Sequence, residues 1–572
     1  MKSSATRSGI DAEVLIAVAV LSAAAVIGLA TVGDYGMTVD EFTADDYGPK
    51  ALAWYTSGFT DGSTFDDVEH TLWFYGPWFH IFTAVVQSLK IADHWTVRHA
   101  LNFLGGLAGI AALLPIGRLA IGRWAGLVAI ILCLTTGYLY GSFFFTPIDV
   151  PFLLAMCWTT LAIVVMAGQA VPSWPATIAV GLLTGLAIAT RSSGLITHAY
   201  LIGAAVLCGL EAIVCDSDSM RKPLLQIATR TVSAILIAWA TAFALWPWLQ
   251  IGNPFAHFKE AFLYFANHPN AFDFPHWGEQ VKTTNLSWSY VPAQLAIRLP
   301  EGFLLLLAIG SLFGLASAFG FLWSGCRALA RRRMSQLKAA ALVMARSRRT
   351  LIVWTAAILP LAAIIIQRST LYDGIRHVLF LIPMLALIAA FGFLRLLPLL
   401  SRFPVAAAVA GGGYLAYAVL TLALLHPLEY MAVNPIPGGV HGAYGRFELD
   451  YWSLAANVAL RRLEHRLDYD PPERFVENPP SIMICIPWRK DRVAPMFRRP
   501  WRLETASGKA DFLITTERRL DDCAKDAPAV LIDEIKRFGR TFAWVYARRS
   551  ALRAQSLAAQ PQGNSTPTSA VP

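Results

Sequence analysis

Adjacent acidic residues follow the first apolar segment of the chain. The stretch reads MTVDEFTADDY and contains Asp40 and Glu41, with Asp45 and Asp46 about one helical turn later. A carboxylate beside the membrane can deprotonate an incoming hydroxyl group, and neighbouring carboxylates can hold a divalent cation. The same acids would also suit a solvated loop or the first turn of a helix, because negative charge is favourable at helix N-termini.

Three further polar clusters are expected at the same membrane face. They are Asp149 in the short loop GSFFFTPIDVPF, Arg191 in a turn between apolar segments, and Tyr372, Arg376 and His377 in QRSTLYDGIRH. Acids and arginines together suit phosphate-ester chemistry, because guanidinium groups bind phosphate through two donors and stabilise charge on a leaving phosphate. The alternative is that these residues are interfacial anchors, since a charge at mid-bilayer costs on the order of 3 kcal/mol.

The sequence gives no indication of nucleotide or nucleic-acid binding. It contains no P-loop and no GxGxxG motif after a strand, so an activated donor would come from the membrane as a lipid phosphate. The net charge of +9 includes seven arginines between Arg327 and Arg349, in one loop that the positive-inside rule places in the cytoplasm. No basic patch is interleaved with aromatic residues, which excludes nucleic acid as a partner.

The elements that must position these side chains are membrane-spanning helices. Of the 572 residues, 56% are hydrophobic and only 15% are charged, and the mean hydropathy is +0.50, as in an integral membrane protein. With the N-terminus in the cytoplasm, the four polar clusters share the outer face. Apolar runs of about 20 residues predict eleven spans, at roughly 14–32, 97–116, 124–140, 152–167, 175–190, 195–213, 230–249, 301–323, 351–366, 378–394 and 404–425.

The predicted domains follow from these spans. Residues 1–425 form the membrane module, in which the external loop 33–96 contains helices that lie in the membrane interface. Residues 426–557 form a small extracytoplasmic α/β domain, with SIMICIPW and AVLIDEI as buried strands. Residues 558–572 are predicted to be a disordered tail. Of the seven cysteines, Cys485 and Cys523 lie in the α/β domain, where geometry decides whether they pair.

The order of these motifs resembles a known family. Three stretches are similar to motifs of the GT-C glycosyltransferases: VDEF in the first external loop, TPIDVPF in the second, and DGIRHVLFLIP before a late span. The nearest resemblance is to bacterial members related to the protein O-mannosyltransferases and the lipid A aminoarabinose transferase. HPLEYMAVNPIPGGVHGAYGRFELDYW, after the last span, resembles a signature of the same group. The resemblance covers roughly residues 10–460.

The resemblance implies roles for individual residues. Asp40 matches the catalytic base, Asp149 belongs to a second acidic motif, and Arg376 faces the donor phosphate. Relatives often carry Asn-Pro-Lys-Asp where this chain has Thr146-Pro147-Ile148-Asp149, so the lysine of that motif is missing here. The resemblance does not extend to the part of the chain after about residue 470.

The sequence thus predicts a mainly α, polytopic bacterial inner-membrane protein with a small α/β domain outside. It would transfer a hexose or pentose, with inversion, from a polyprenyl-phosphate donor to a lipid, glycan or protein acceptor at the periplasmic face. The expected roles are Asp40 as general base, Glu41 and Asp149 as groups that orient it or hold Mg²⁺ or Mn²⁺, and Arg376 as the main phosphate clamp with Arg191, His377 and Tyr372.

Two questions stay open at this level. The segment after the last span is either a structural linker or a lid over the donor, with Tyr444, Glu448 and Asp450 touching substrate. The alternative function is that of a multispanning transporter or lipid flippase, and a scaffold role is a third. Transporters tend to carry inverted repeats and broken helices that meet near mid-membrane, and the sequence shows no clear pair of matching halves.

Overall fold

The computed structural model describes residues 11–67, 71–215, 220–266, 268, 271–469, 479–486, 493–517, 523 and 529–552. The chain forms two compact units: Met1–Tyr35 with Asp40–Leu449, and Gly36–Val39 with Asp450–Pro572. The change of unit between Leu449 and Asp450 lies downstream of the predicted domain boundary between residues 425 and 426. The predicted tail at 558–572 falls outside the described residues.

The first unit is built almost entirely of helices, as the composition predicts. It also contains an antiparallel hairpin of β1 (Asp273–His276) and β2 (Glu279–Lys282). The helices are α1 (Ala12–Thr31), α2 (Val39–Thr56), α3 (Trp78–Ser88), α4 (His94–Ala111), α5 (Leu113–Ala120), α6 (Ala125–Leu134), α7 (Gly137–Phe145), α8 (Asp149–Ala167), α9 (Trp174–Thr190), α10 (Thr197–Cys215), α11 (Arg221–Leu245), α12 (Pro247–Gln250), α13 (Pro254–Ala266), α14 (Tyr290–Arg298), α15 (Glu301–Ala330), α16 (Met334–Arg346), α17 (Arg348–Gln367), α18 (Ile382–Leu400), α19 (Pro404–Leu425) and α20 (Gly439–Ala443).

The predicted spans coincide with these helices, and the chain is a multi-pass membrane protein. Within the described residues, nine helices are long and apolar enough to cross a membrane. A tenth span results if α6 and α7, which meet at 72°, are taken as one broken helix. The remaining predicted span corresponds to α9, an apolar helix of 17 residues.

The predicted external loop 33–96 is largely helical. Because α2 begins at Val39, Asp40 and Glu41 lie in its first turn, where acidic side chains are favourable. The acidic stretch is therefore a helix start and not a loop. The segment after Pro77 forms α3, whose 11 residues are fewer than the roughly 20 needed to cross a bilayer, as predicted.

Two helices at the centre of the first unit begin at charged residues. α8 starts with Asp149, and α18 continues a 3-10 segment that starts with Arg376. The spans that contain these two residues bury 78% of their most apolar window, whereas α1, α15 and α19 bury only 11% of theirs. A charge at the start of a buried helix must be paired, so the N-terminal ends of α8 and α18 mark the place to look for a site.

The second unit is the small α/β domain predicted from the sequence. It contains helix α21 (Leu454–Tyr469) and five strands, β3 (Ser481–Cys485), β4 (Arg502–Leu503), β5 (Phe512–Thr516), β6 (Ala529–Arg537) and β7 (Arg540–Arg548). The strands form one sheet in the order β4-β3-β5-β7-β6. Strand β3 pairs in parallel with β4 and β5, whereas β7 pairs antiparallel with β5 and β6. SIMIC forms the buried strand β3 as predicted, and Cys485 and Cys523 form a disulfide. AVLIDEI forms a strand, β6, but the prediction that it is buried is wrong, because β6 lies at the edge of the sheet and leaves Val530 and Leu531 37% and 45% exposed.

A histidine joins two distant segments just beyond the end of α19. The Nδ1 atom of His426 lies 2.6 Å from the carboxylate of Glu429, and its Nε2 atom lies 3.0 Å from that of Asp34. Burial alone would lower the pKa of His426, but the hydrogen bonds and charges of the two carboxylates outweigh it and raise the pKa above its ordinary value of 6.5.

This raised pKa predicts a pH-dependent contribution to stability. The contribution is complete below the unfolded-state pKa of about 6.5 and is lost as the pH rises through the higher folded-state value. We expect the melting temperature of wild type in detergent to exceed that of His426→Gln most at about pH 6, with a gap that narrows towards about pH 9. The exposed His465→Gln serves as control. A gap that stays constant or widens with pH would contradict this prediction.

Candidate active site

One guanidinium group bridges three carboxylates at the start of the 3-10 segment that precedes α18. In Arg376, Nη2 lies 3.1 Å from Asp40, Nη1 lies 2.9 Å from Asp373, and Nε lies 3.7 Å from Asp149. Arg376 and Asp149 are only 6% and 4% exposed, so their charges interact at reduced dielectric. The side chain of Asp40 keeps 31% of its surface exposed. Asp40 is therefore the member of this group that an external reactant can reach.

A second arginine extends the network. Arg191 follows α9, and its Nη1 atom lies 3.0 Å from the carboxylate of Asp149. Asp149 is thus held between two guanidinium groups. The structure brings together four of the residues singled out from the sequence, Asp40, Asp149, Arg191 and Arg376, from four separate segments of the chain.

The turn before Arg376 is shaped by two residues in the left-handed region. Asp373 has φ +60° and Gly374 has φ +66°. Glycine adopts this conformation readily, but an aspartate does so at a cost, which the surrounding contacts must offset. The hydroxyl of Tyr138 donates to the backbone carbonyl of Asp373 at 2.7 Å, and the side chain of Asp373 accepts from Arg376. The turn thereby directs Asp373 back towards the guanidinium group that follows it.

An apolar cavity of about 470 Å³ opens beside this network. Its polar wall includes Arg191, Tyr372 and His377, three of the residues predicted to bind phosphate, together with His268. Its apolar wall comes from α13, α17 and the turn that precedes α10. The main apolar lining residues are Leu195, Ile196, Phe262, Phe265, Leu359, Pro360, Ala363, Ile364 and Phe380. The cavity therefore combines a charged end with a wall suited to hydrocarbon.

Aromatic rings surround the charged end of the cavity. The guanidinium carbon of Arg376 lies 5.2 Å from the ring centre of Tyr372, and the ring of His377 meets the same tyrosine edge-on at 4.7 Å. Burial raises the pKa of Tyr372, so its hydroxyl keeps its proton. Burial and the charge of Arg376 lower the pKa of His268 to about 4, so this histidine is neutral near pH 7.

Glu41 contacts basic residues of α4. Its carboxylate lies 3.0 Å from Nε2 of His99 and 3.9 Å from Nε of Arg98, and it is 1% exposed. The three carboxylates expected to hold a cation are therefore not assembled, because Arg376 lies between the other two. In the described part of the chain, no group of three His, Cys, Asp or Glu residues is placed to hold a metal ion.

The three candidate lid residues have structural contacts. The backbone carbonyl of Glu448 accepts from Arg298 at 2.8 Å, and Tyr444 donates its backbone N–H to Val440. Neither residue belongs to the cavity wall in the described structure. Asp450 lies in the second unit, where its carboxylate accepts from two backbone N–H groups at the start of α21. A role for these residues in substrate binding stays a prediction.

Tyr75 was not identified from the sequence, yet it lines the cavity. The guanidinium group of Arg191 lies 5.7 Å from its ring centre. The neighbouring Gly76 packs so closely that a Cβ there would lie 1.7 Å from the carbonyl oxygen of Ala189 in α9. The sequence signal was the Gly-Pro break after an aromatic run, which indicates a close backbone approach but not its partner.

No family model and no curated protein matches this chain. It is similar to the crystal structure of ArnT from Cupriavidus metallidurans bound to undecaprenyl phosphate, with 14% identity and a TM-score of 0.42 over 93% of this chain and 97% of that one. It is also similar to an oligosaccharyltransferase from Archaeoglobus fulgidus in the apo form, with 13% identity and a TM-score of 0.40 over 82% and 62% of the two chains.

Proposed function

We propose that this protein is a membrane glycosyltransferase of the GT-C type that transfers a sugar from a polyprenyl-phosphate donor to an acceptor. The observation that carries the proposal is the apolar cavity between membrane helices, which ends at Arg191 beside the Asp149–Arg376–Asp40 network. The motif resemblance of VDEF, TPIDVPF and DGIRHVLFLIP to the GT-C family supports the same function independently of the cavity.

The donor follows from the two ends of the cavity. Leu359, Pro360 and Ile364 of the spanning helix α17 offer an apolar wall to a hydrocarbon chain. Arg191 offers a guanidinium group to a phosphate at the other end, with Arg376 behind it across Asp149. A molecule with a long apolar tail, a phosphate and a sugar beyond the phosphate fits this order of surfaces. The two arginines share the clamp role that the sequence assigned mainly to Arg376.

Asp40 is the proposed base, because it is the partly exposed carboxylate of the network. An acceptor hydroxyl oxygen attacks the anomeric carbon, its proton passes to Asp40, and the bond between that carbon and the phosphate oxygen breaks. The electron pair of that bond leaves with the lipid phosphate, whose charge the arginines stabilise. One displacement inverts the anomeric configuration. Asp149 holds the two guanidinium groups in place, and no step requires a divalent cation.

The site is proposed to face the extracytoplasmic side of a bacterial inner membrane. The disulfide between Cys485 and Cys523 supports this placement, because such bonds persist in oxidising compartments. The arginine-rich segment around α16, from Arg327 to Arg349, supports a cytoplasmic location for the opposite face.

This topology predicts the behaviour of two reporter fusions. A reporter that is active only in the periplasm should be active when fused after Pro572 and inactive when fused after Arg333. A reporter that is active only in the cytoplasm, fused at the same two positions, is the matched control and should give the reverse pattern. If the Arg333 fusion is active in the periplasm, the polar clusters do not face that compartment.

One observation favours a transporter as the second candidate. The bent pair α6 and α7 is a broken apolar helix whose second half leads to Asp149, and transporters place broken helices at their binding sites. The two functions differ in their product. In liposomes with a labelled polyprenyl-phosphate sugar and a bacterial envelope extract as acceptor, a transferase releases free polyprenyl phosphate, whereas a flippase moves the intact lipid. Movement without cleavage would overturn the proposed function.

A further inference from the structure

Helix α4 contacts both segments that carry the acids of the proposed site. His99 on α4 binds Glu41, the neighbour of Asp40 in the first turn of α2, at 3.0 Å. Asn102 on α4 donates to the carbonyl oxygens of Phe143 and Thr146 at 2.9 and 3.3 Å, just before Asp149. Residues three apart on a helix share a face, so one face of α4 contacts both segments.

These contacts are buried and supported by close packing. His99 and Asn102 are 1% and 2% exposed, and Glu41 is 1% exposed. A Cβ on Gly106 of α4 would lie 2.4 Å from the ring of Phe143, so the end of α7 lies directly against α4. Leaving a buried carboxylate or carbonyl without its donor costs the full desolvation of that group. Both segments are therefore strongly tied to α4.

We propose that His99 and Asn102 are positioning residues that set the distance between Asp40 and Asp149. His99 holds the first turn of α2 through Glu41, and Asn102 holds the end of α7 from which α8 starts. Since Arg376 contacts both acids, a shift in the position of either segment would displace the base relative to the arginine that binds the phosphate. This inference rests on the proposed function for its kinetic consequence, but the tethering itself does not.

The tethering is tested first, without any activity assay, by hydrogen exchange of the full-length protein in detergent. His99→Leu should speed amide exchange in the first turns of α2, and Asn102→Leu should speed it over residues 143–149. Leu104→Ala is the control, because Leu104 lies on α4 but is 40% exposed. It should change amide exchange in neither segment. Glu41→Gln should reproduce the effect of His99→Leu. Unchanged exchange in both segments, or equal loosening throughout the unit, would overturn the proposal.

Kinetics test the link to Asp40. His99→Leu should lower kcat by up to about 100-fold with little change in donor KM, because misplacing a reacting group by about 1 Å costs that much. His99→Gln keeps a donor towards Glu41 and should recover most of the loss. In the Asp40→Asn background, adding His99→Leu should cost less than about twofold, since both changes act on the same group.

The kinetic outcomes separate the two proposals. If His99→Leu lowers kcat in the Asp40→Asn background by the same factor as in wild type, His99 acts on general stability. That result would overturn the positioning role. If wild type shows no turnover while the exchange pattern appears as expected, the proposed function fails and the tethering by α4 stands. If wild type turns over and neither variant changes exchange or kcat, the proposed function stands and the positioning role fails.

Discussion

Asp40→Asn is expected to lower turnover by about 10²–10⁴-fold, the range found when a general base is removed. The asparagine keeps the shape of the side chain and an oxygen towards Arg376, which lies 3.1 Å away in wild type, but it cannot take a proton. Donor binding should persist, because the cavity wall and Arg191 are unchanged. The loss should therefore appear in kcat and not in the donor dissociation constant.

The matched control for this change lies on the same helix. Asp46 has a 54% exposed side chain and pairs with Lys50 on the surface, so Asp46→Asn should leave turnover near that of wild type. Turnover and donor binding are measured on the purified proteins in the same detergent. An Asp40→Asn protein with near-normal turnover would reduce the acidic first turn of α2 to an ordinary helix start.

Arg376→Lys is expected to lower turnover by about 10²–10³-fold, the cost of removing a preorganised donor from developing negative charge. Lysine retains the positive charge, but a single ammonium nitrogen cannot contact Asp40, Asp149 and Asp373 as the planar guanidinium group does. The three carboxylates would then repel one another, so the melting temperature should fall as well.

The comparison with Arg191→Lys shows which arginine binds the donor. Because Arg191 lines the cavity, its replacement should raise the donor KM more than it lowers kcat. Arg402→Lys, at an exposed position between α18 and α19, is the control and should change neither constant. If Arg376→Lys is fully active while Arg191→Lys is inactive, the clamp belongs to the loop after α9 alone.

Much of the membrane architecture could be predicted because it depends on local composition. Long apolar runs must cover their backbone polar groups as helices in lipid, and every predicted span coincides with helical structure. The small α/β unit was also predictable from its short apolar runs between charged segments. The break between α6 and α7 was not predicted, because Thr135, Thr136 and Gly137 interrupt the apolar run too briefly to end a predicted span.

The candidate site was predictable only where topology alone brings residues to one face. Four side chains meet as expected from their places at the ends of spans: Asp40, Asp149, Arg191 and Arg376. Glu41, the neighbour of Asp40, contacts His99 and Arg98 of α4, because neighbouring residues on a helix point about 100° apart. It shares its face with Asp45, which lies 3.3 Å from the Arg98 that also contacts Glu41. The position of Tyr75 in the cavity wall depends on a contact between distant segments, which no local sequence pattern reveals.

The central claim is that a polyprenyl-phosphate sugar is cleaved at this site. The most direct measurement follows a donor labelled in both lipid and sugar, incubated with purified protein and a bacterial envelope extract. Wild type should release polyprenyl phosphate in step with the appearance of labelled sugar on an acceptor, and Asp40→Asn should bind the donor and leave it intact. A wild-type protein that binds the donor but leaves it uncleaved, or cleaves it as fast as Asp40→Asn does, would contradict the claim.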